Sequence, residues 1–490
     1  MLRAVTDRDA YANLLLPALL AERGLHGRDA ALATELAYGT LRGRGSYDAV
    51  VAACSSRPLA AIDPALLDVL RLGTHQLLAT RIGPHAAVAT SVTLAREVAG
   101  GGAAGFANAV LRRVAARDLD SWIAAVAPDR AADPVGYLAV RTSHPGWIVA
   151  AVAESLGEEP VTGLPVTETA LAANNTRPLV TLCAVPGLAD PADLAARGCR
   201  AARWSPFGAY LDGGDPADVP EVAQGRAAVQ DEASQLAALA LARADPGPAP
   251  MITDDFPRIE RDFVRGQGSQ PVGTDRDRRW LDLCAGPGGK ARLLAGLAAG
   301  HGARLLAADV REHRARLVRD ATAPAGAAVV VVSDGTRPAW RPASFDRVIA
   351  DVPCSGLGAL RRRPDARWRK TQADVAALGE LQRALLRTAI NAARPGGVIA
   401  YVTCSPHVAE TRAVVGQVTA ARDDVAVLDA PALLGEVPDL ACPAQAGSGP
   451  TTPRSASSGP TTPPKGGRYA QFWPHLHGTD AIFLAVLRRC

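Results

Sequence analysis

The pattern of apolar and polar positions divides the chain into a helical first part and a later part in which strands and helices alternate. Apolar residues recur at helical spacing in six early segments, at residues 10–22, 28–41, 47–53, 64–80, 85–98 and 104–117. Asp63-Pro64 and Gly83-Pro84 are typical helix entries, because proline is tolerated in a first helical turn. Residues 1–135 are therefore predicted to form an independent all-α bundle.

The pattern changes after residue 135. A short helix is predicted at residues 143–157, and residues 172–185 alternate and end in β-branched side chains, as strands do. Another helix is predicted at residues 229–241, with Asp231 as its cap. Residues 136–228 are thus expected to form a mixed α/β linker subdomain.

The last region opens with a strand, a glycine turn and a helix, predicted at residues 280–283, 286–289 and 290–299. Further apolar strands are predicted at residues 304–308, 327–332, 347–350, 398–402 and 481–489. Such alternation produces a parallel, doubly wound sheet. The predicted fold class is multidomain, an all-α bundle followed by a Rossmann-like α/β domain within residues 229–490.

Two segments interrupt this last region. Residues 245–279 and 444–467 are rich in proline, glycine and polar residues and contain few apolar ones. Such composition is typical of irregular insertions, because it offers little surface to bury. No chemistry is assigned to either segment.

Composition restricts the function classes. A chain of 490 residues exceeds one ordinary domain, and its net charge of +4 permits an anionic partner without requiring one. The eight cysteines are scattered without a C-x-x-C pair, which favours a reducing cytoplasm and no structural zinc. No secretory signal and no apolar run long enough to span a bilayer is evident. We expect a cytoplasmic monomer with no metal and no membrane partner.

The glycine loop allows three interpretations. A phosphate loop of a nucleoside triphosphatase would need glycine at Cys284 and serine or threonine at Ala291, so it is excluded. A dinucleotide fingerprint is satisfied by Gly286, Gly288 and Ala291, with Asp309 at the distance of a ribose-binding acid. A turn that serves only strand-to-helix packing has equal weight on this loop alone. The residues that would hold a nucleotide-like cofactor are Cys284, Ala285, Gly286, Pro287, Gly288, Gly289 and Lys290.

Polar residues follow the later strands. Asp309, Asp334, Asp351 and Cys404 each come at or just after a predicted strand end. An isolated acid at such a place is usually a cap or turn residue. In doubly wound sheets, however, ligands bind outside the carboxyl ends of the strands, so these residues are predicted to converge on the glycine loop.

Two of these strand ends carry cysteine motifs, Asp351-Val352-Pro353-Cys354-Ser355-Gly356 and Thr403-Cys404-Ser405. A cysteine is more often a small core residue than a nucleophile. Two cysteines at loop ends beside a cofactor site, one of them three residues after an acid, indicate thiolate chemistry.

Basic residues crowd the segment that follows the first motif. They are Arg361, Arg362, Arg363, Arg367, Arg369 and Lys370. A charge run is usually a solvated face, but this one begins at the mouth of the predicted site and includes Trp368. It is therefore predicted to bind RNA phosphates.

In this order, LDLCAGPGGK, DVPCSG followed by RRRPDARW, and YVTCS resemble the motifs of RNA cytosine-5 methyltransferases. PHAAVATSVTLA and GFANAVLRR resemble the NusB-type RNA-binding domain. Together they resemble the RsmB (Sun/Fmu) family of small-subunit ribosomal RNA methyltransferases over nearly the whole chain. Gly286 and Ala291 depart from this family, which usually has Ala and Thr there.

The resemblance implies S-adenosylmethionine as cofactor and a cytosine of RNA, most simply 16S ribosomal RNA, as substrate. It assigns the nucleophilic thiolate to Cys404, the acid facing the cytosine ring to Asp351, and enzyme release to Cys354. For the cofactor it implies the Cys284 to Lys290 loop, with Asp309 at the ribose, Asp334 near the adenine and Asp351 at the methionine end. A transfer RNA cytosine-5 methyltransferase, a non-catalytic NusB-like RNA-binding factor and a nicotinamide-dependent oxidoreductase are the alternatives.

Overall fold

The computed structural model describes residues 1–7, 10–247, 277–443 and 467–490. The insertions predicted at residues 245–279 and 444–467 lie almost entirely outside the described residues. No helix within the described ranges is long and apolar enough to cross a membrane.

The first part of the chain is helical, as predicted for residues 1–135, and its helices continue to residue 173. The α-helices among its described residues are α1 Leu2–Asp7, α2 Ala12–Glu22, α3 Gly27–Cys54, α4 Pro64–Ala79, α5 Pro84–Ala99, α6 Gly101–Val114, α7 Leu119–Val126, α8 Pro134–Arg141, α9 Gly146–Leu156 and α10 Pro165–Ala173. Val50, Leu70 and Leu111 are completely buried between α3, α4 and α6. Truncating one of them to alanine would cost about 2–5 kcal/mol.

The structure corrects the prediction of two helices at residues 28–41 and 47–53, because α3 runs through both without a break. The Arg-Gly-Arg-Gly sequence between them contains no apolar residue, so hydrophobic periodicity gave no signal there. The glycines have a packing role. A Cβ atom on Gly43 would lie 2.2 Å from the ring of Tyr47, and one on Gly45 would lie 2.7 Å from the ring of Trp368.

A small antiparallel sheet follows. Its strands are β1 Val180–Ala184, β2 Arg200–Ala201, β3 Gly208–Leu211 and β4 Ala227–Val229, in the order β2-β3-β1-β4. The short helices α11 Pro191–Ala195 and α12 Pro220–Ala223 accompany it, and Leu182 and Leu194 are buried in its core. Helix α13, Glu232–Arg243, then begins at Asp231, whose carboxylate accepts a hydrogen bond from the Ala233 N–H as predicted for a cap.

The large sheet has the order β10-β12-β9-β8-β5-β6-β7, with β11 also paired to β12. Its strands are β5 Arg279–Asp282, β6 Arg304–Asp309, β7 Ala328–Val332, β8 Phe345–Asp351, β9 Ala393–Thr403, β10 Val425–Val427, β11 Ala470–Gln471 and β12 Phe483–Arg489. Strands β5 to β9 are parallel, which confirms the doubly wound arrangement. The last strand, β12, is antiparallel to β9, so the sheet is mixed.

Helices cover both faces of the large sheet. Besides α13, the helices of this part of the chain are α14 Gly289–Gly300, α15 Glu312–Thr322, α16 Ala366–Arg369, α17 Gln372–Ala392, α18 Arg412–Ala420, α19 Ala430–Leu433 and α20 Pro474–His477; of these, α16 packs with the helices before the small sheet and α20 with α10. Side chains alternate along β5: Trp280 packs in the core formed with α13 and α14, and Leu281 packs in the core formed with α17 and α18. Burial on both faces fixes the register of the strands. Because β5, β6, β8 and β9 are parallel, their carboxyl ends share one edge of the sheet.

Candidate active site

The glycine loop lies at the centre of that edge, between two strands. The Leu283 N–H donates to the Ile349 carbonyl of β8 at 2.9 Å, and the Ala285 N–H donates to the Ala308 carbonyl of β6 at 2.8 Å. Gly288 has φ +114°, and a Cβ there would approach the Cβ of Ala321 to 2.7 Å. Only glycine fits this position, so the loop is built for close packing as well as for an open helix start.

Asp309 fastens this loop to the end of β6. Its carboxylate accepts the Gly286 N–H at 3.1 Å and the Arg311 N–H at 2.9 Å. A Cβ on Gly286 would lie 2.3 Å from the same carboxylate, so alanine, the usual residue of the resembling family, would need a rearrangement here. The predicted convergence of Asp309 and the loop is thus present in the fold.

Asp334 has a different setting, at an exposed turn after β7. Its carboxylate accepts the N–H of Thr336 at 2.8 Å and the hydroxyl at 2.7 Å, and the Thr336 N–H lowers the pKa of Asp334. The adjacent Gly335 packs against Leu283 of the glycine loop. Asp334 therefore stands near the loop with its carboxylate directed into its own turn.

Lys290 and Asp351 form an ion pair across the edge, with 2.8 Å between Nζ and the carboxylate. Burial alone would lower the pKa of Lys290, but the carboxylate of Asp351 outweighs it and raises that pKa. Lys290 is therefore positively charged and held in place, and its charge acts to lower the pKa of the nearby Cys404 thiol.

Asp282, at the end of β5, is a site residue that the sequence reasoning missed. It is 1% exposed, and neither carboxylate oxygen makes a hydrogen bond of normal geometry with a described residue, although the backbone of Cys284 lies close enough to favour the charged form. Burial, with Asp351 nearby, raises the pKa of Asp282 to about 8. The rule that singled out Asp309 at a strand end would have found it.

The two cysteine loops meet where β8 and β9 end. Asp351 pairs with Val402 in the strand register, and the Cys354 thiol accepts hydrogen bonds from the backbone of Gly356 and of Cys404. Gly358 connects the two loops, because its N–H donates to the Cys404 carbonyl at 3.0 Å. A Cβ atom at this position would collide with the backbone of Ala481. The predicted meeting of both motifs at one edge is thus seen.

The charges around the two thiols differ. Burial raises the pKa of Cys354 to about 12, and the carboxylates of Glu410 and Asp351 add to this effect. Burial also raises the pKa of Cys404 well above its ordinary value, and Asp480 and Cys354 raise it further, but Arg362 and Lys290 oppose them. Of these two thiols, Cys404 has cations among the neighbours that act most strongly on its pKa, and cations stabilise a thiolate.

The arginine segment is less exposed than predicted. Arg367 is completely buried, and its guanidinium donates to the carbonyls of Arg42, Ser143 and Asn174 at 3.0–3.1 Å. Arg361 is 6% exposed and donates to the Gly478 carbonyl at 2.9 Å. The prediction that Arg361 and Arg367 meet phosphates is corrected, because their hydrogen bonds are used to join segments of the chain.

The other basic residues of the segment keep some exposure. Arg362 lies 47% exposed while donating to the buried carboxylate of Asp480 at 2.9 Å, and Arg363 is exposed. Arg369 lies over the ring of Tyr11 at 4.4 Å, and Lys370 follows α16 half-buried. Arg361, Arg362 and Arg363 also line a cleft of about 270 Å³ together with Arg42 and Arg177 of the N-terminal half.

No group of three or more potential metal ligands is found among the described residues. All eight cysteines are free.

Comparison with known proteins agrees with this arrangement. Residues 271–488 match the family described as 16S rRNA methyltransferase RsmB/F, and residues 1–116 match the NusB family. The chain is 48% identical to the Mycobacterium tuberculosis (strain ATCC 25618 / H37Rv) protein named "Putative methyltransferase Rv1407", over 100% of this chain and 94% of that protein. It is 32% identical to the ribosomal RNA small subunit methyltransferase B of Pseudomonas putida (strain KT2440), over 82% and 84%.

Among solved structures, the fold is similar to that of the protein PH0851. The TM-score is 0.67 at 19% identity, and the match covers 98% of this chain and 96% of that one. At this identity the likeness concerns the fold alone, and it extends over both the helical and the sheet-containing parts.

Proposed function

The chain belongs to the RsmB/F family of 16S rRNA methyltransferases, and from this premise we propose that it methylates carbon 5 of a cytosine in small-subunit ribosomal RNA through a covalent cysteine intermediate. It is an S-adenosylmethionine-dependent RNA methyltransferase with a NusB-type domain at its N-terminus. The observation that carries the finer proposal is the meeting of the two cysteine loops at one sheet edge, where Arg362 and Lys290 partly oppose the rise in the pKa of Cys404 that burial and Asp480 cause.

The residues at the sheet edge fit the cofactor. A buried carboxylate without partners is unfavourable, and the unpaired carboxylate of Asp282 below the glycine loop would be satisfied by an ammonium group, which the methionine part of the cofactor carries. When bound, S-adenosylmethionine supplies an electrophilic methyl group. We assign its binding to the Cys284 to Lys290 loop, with Asp309 at the ribose, Asp334 near the adenine and Asp351 at the methionine end.

The enzyme must first make cytosine reactive, because carbon 5 of the ring is a poor nucleophile. We assign to Cys404 the attack on carbon 6: an S–C6 bond forms, and the electrons of the C5–C6 double bond become available at carbon 5. The proton lost by the thiol balances the proton gained at ring nitrogen 3. We assign its transfer to Asp351, which Lys290 holds in place at 2.8 Å.

The adduct must later be resolved. Once carbon 5 is methylated, it loses its hydrogen as a proton to water, the double bond reforms and the S–C6 bond breaks. The proton held at ring nitrogen 3 leaves through Asp351 and restores the protonation of the enzyme, so neutral 5-methylcytosine is released. We assign to Cys354 a part in this release, as donor of a proton to the departing Cys404 sulfur. Burial, with its carboxylate neighbours, keeps Cys354 protonated at neutral pH, so it is suited to proton transfer rather than to attack.

The RNA must present a base that has left its stack, since the thiols lie in a recess of the sheet edge; single-stranded or looped RNA fits this need. We assign phosphate contacts to Arg362 and Arg363, with Arg369 and Lys370 at the border of the segment. Arg362 lines the cleft, and its charge also acts on the Cys404 thiol.

We further propose three domains, at residues 1–135, 136–228 and 229–490. The small sheet lies within the second range apart from the last residue of β4, and all strands of the large sheet lie within the third. The helices α8 to α10 do not fit this division well. Leu138 and Ile148, in the second proposed domain, pack with Leu357 and Leu360 of the third, just before the arginine segment.

The test is to incubate the protein with labelled cofactor and an RNA in which 5-fluorocytosine replaces cytosine. Fluorine at carbon 5 cannot leave as a cation, so a covalent complex should persist on a denaturing gel, and normal RNA should yield 5-methylcytosine. Small-subunit ribosomal RNA should react and transfer RNA should not. Methyl transfer to another atom, or no covalent complex despite turnover, would contradict the proposal.

A further inference from the structure

Beyond its effect on the pKa of Cys354, Glu410 has no part in the proposed chemistry. It belongs to the short 3-10 turn Val408–Glu410 after β9, and its side chain is completely buried. Four donors surround its carboxylate: the N–H of Ser355 at 2.7 Å, the hydroxyls of Ser355 and Ser405 at 2.5 and 2.6 Å, and the Gln382 amide at 3.2 Å. Burying a carboxylate is costly, and such a set of hydrogen bonds is what offsets the cost.

The two serines are the residues that follow the two cysteines. Ser355 comes after Cys354 and Ser405 comes after Cys404, and their hydroxyl oxygens are 3.2 Å apart. One oxygen of the Glu410 carboxylate accepts from both hydroxyls. A single atom therefore joins the two loops directly behind the two thiols.

Glu410 is itself held from two other elements. The Tyr401 hydroxyl of β9 donates to the Glu410 carbonyl at 2.8 Å. The Gln382 amide of α17 donates both to the carboxylate and, at 2.9 Å, to the carbonyl of Pro353. These contacts hold the Glu410 carboxylate in place, so the Cys354 and Cys404 loops are positioned relative to it.

We propose that Glu410 is a positioning residue that holds the Cys354 and Cys404 loops at one separation, so that attack and release act on the same cytosine ring. The inference rests on the proposed function, since it presupposes that both cysteines act. A displacement of about 1 Å at a reacting group costs on the order of 100-fold in rate. Hydrogen bonds from both loops to one carboxylate limit such displacement.

The test is a double-mutant cycle of Ser355→Ala and Ser405→Ala, read as the single-turnover rate of methylation at saturating cofactor and RNA. Each single variant should be about 10-fold slower. The double variant should be little slower than either single one, because either change already breaks the bridge through the one carboxylate oxygen that accepts from both hydroxyls. Thr322→Val is the matched control: it removes a buried hydroxyl that bonds within its own helix, at 2.9 Å to Val318.

Two further measurements separate positioning from general loosening of the fold. Cofactor affinity by calorimetry should stay within twofold of wild type in both serine variants. Glu410→Gln should be slower than wild type but faster than Glu410→Ala, because its amide oxygen still accepts the Ser355 N–H while its NH₂ group faces two hydroxyls. Multiplying effects of the serine changes, wild-type rates in both, or an equal slowing in Thr322→Val would overturn the inference.

Failure of the proposed function would look different. In that case wild-type protein would form no covalent complex with 5-fluorocytosine RNA. If wild type forms the complex and the serine variants resolve methylated RNA at the wild-type rate, only the positioning role of Glu410 fails.

Discussion

The Cys354 loop and the Cys404 loop share a Cys-Ser pair and a place at the end of a strand, and they differ in the charges that face them. Each follows a parallel strand of the large sheet, each continues with a serine, and both serines donate to Glu410. The Cys354 thiol faces the carboxylates of Glu410 and Asp351, whereas Cys404 faces Arg362 and Lys290 in addition to Asp480.

This difference illustrates how the surroundings of a cysteine, as well as its motif, can affect its chemistry. A neighbouring cation lowers the free energy of a thiolate, and a neighbouring carboxylate raises it. The cations beside Cys404 support our proposal that Cys404 attacks and that Cys354 takes part in release. The following predictions are ordered from the largest expected effect to the smallest.

Cys404→Ala should reduce methyl transfer by roughly 10⁴-fold or more, because no other group replaces the nucleophile. It should also abolish the covalent complex with 5-fluorocytosine RNA. Labelled RNA on a denaturing gel, with cofactor binding by calorimetry as the control for folding, measures both. A complex that survives this change would assign the nucleophile to the other loop.

Cys354→Ala should slow turnover by about 10²–10³-fold and should do so after attack, because proton transfer in the release step is lost. A covalent complex with unmodified RNA should accumulate, and adding Cys404→Ala should remove it. Quenched time points on denaturing gels give its rate of appearance. Loss of turnover without accumulation would place Cys354 before the methyl transfer.

Arg362→Gln removes a cation beside Cys404 and leaves the buried Asp480 carboxylate there. The pKa of the Cys404 thiol should then rise further, so less thiolate is present at a given pH. We expect complex formation at neutral pH and saturating RNA to become roughly 10-fold slower and its pH profile to move to higher pH. Arg363→Gln, an exposed neighbour, is the matched control and should leave the profile in place.

Asp282→Asn should have the smallest effect on the rate of methyl transfer at saturating cofactor and should leave both cysteine loops unchanged. We expect about 10-fold weaker cofactor binding by calorimetry, because one charge-assisted contact to an ammonium group is lost. The melting temperature should stay the same or rise, since a buried and unpaired carboxyl group is removed. Unchanged cofactor affinity would show that Asp282 is only a desolvated strand-end residue.

The sequence predicted well those features that depend on residues close together in the chain. Strands β5, β6, β7, β8 and β12, the glycine turn and the cap at Asp231 were predicted close to their observed bounds, because side-chain alternation, proline entries and capping depend on neighbours in sequence. The starts of β1 and β9 were misplaced, and the short strands β2, β3, β4, β10 and β11 were missed. The meeting of the cysteine motifs at one edge also followed, since parallel strands bring their carboxyl ends together. The continuous helix α3 was missed because its central turn has no apolar residue to report on burial.

The arginine segment shows the limit of such reasoning. Arg361, Arg362, Arg363 and Arg367 belong to one short charged run, and sequence alone treats them as equivalent. In the fold, Arg367 is buried among carbonyls of residues 42, 143 and 174, and Arg362 reaches Asp480, 118 residues further along the chain.

The sequence by itself determined the fold class, the place of the site at the strand ends and the presence of two thiols there. Only the tertiary structure decided which thiol faces cations, which arginines remain exposed and which carboxylate joins the two loops. The physical reason is that hydrophobic periodicity and turn chemistry act over a few residues, whereas an electrostatic field depends on distance in space. Asp480 and Glu410 act on these thiols only because β12 pairs with β9 and the turn after β9 folds beneath the loops.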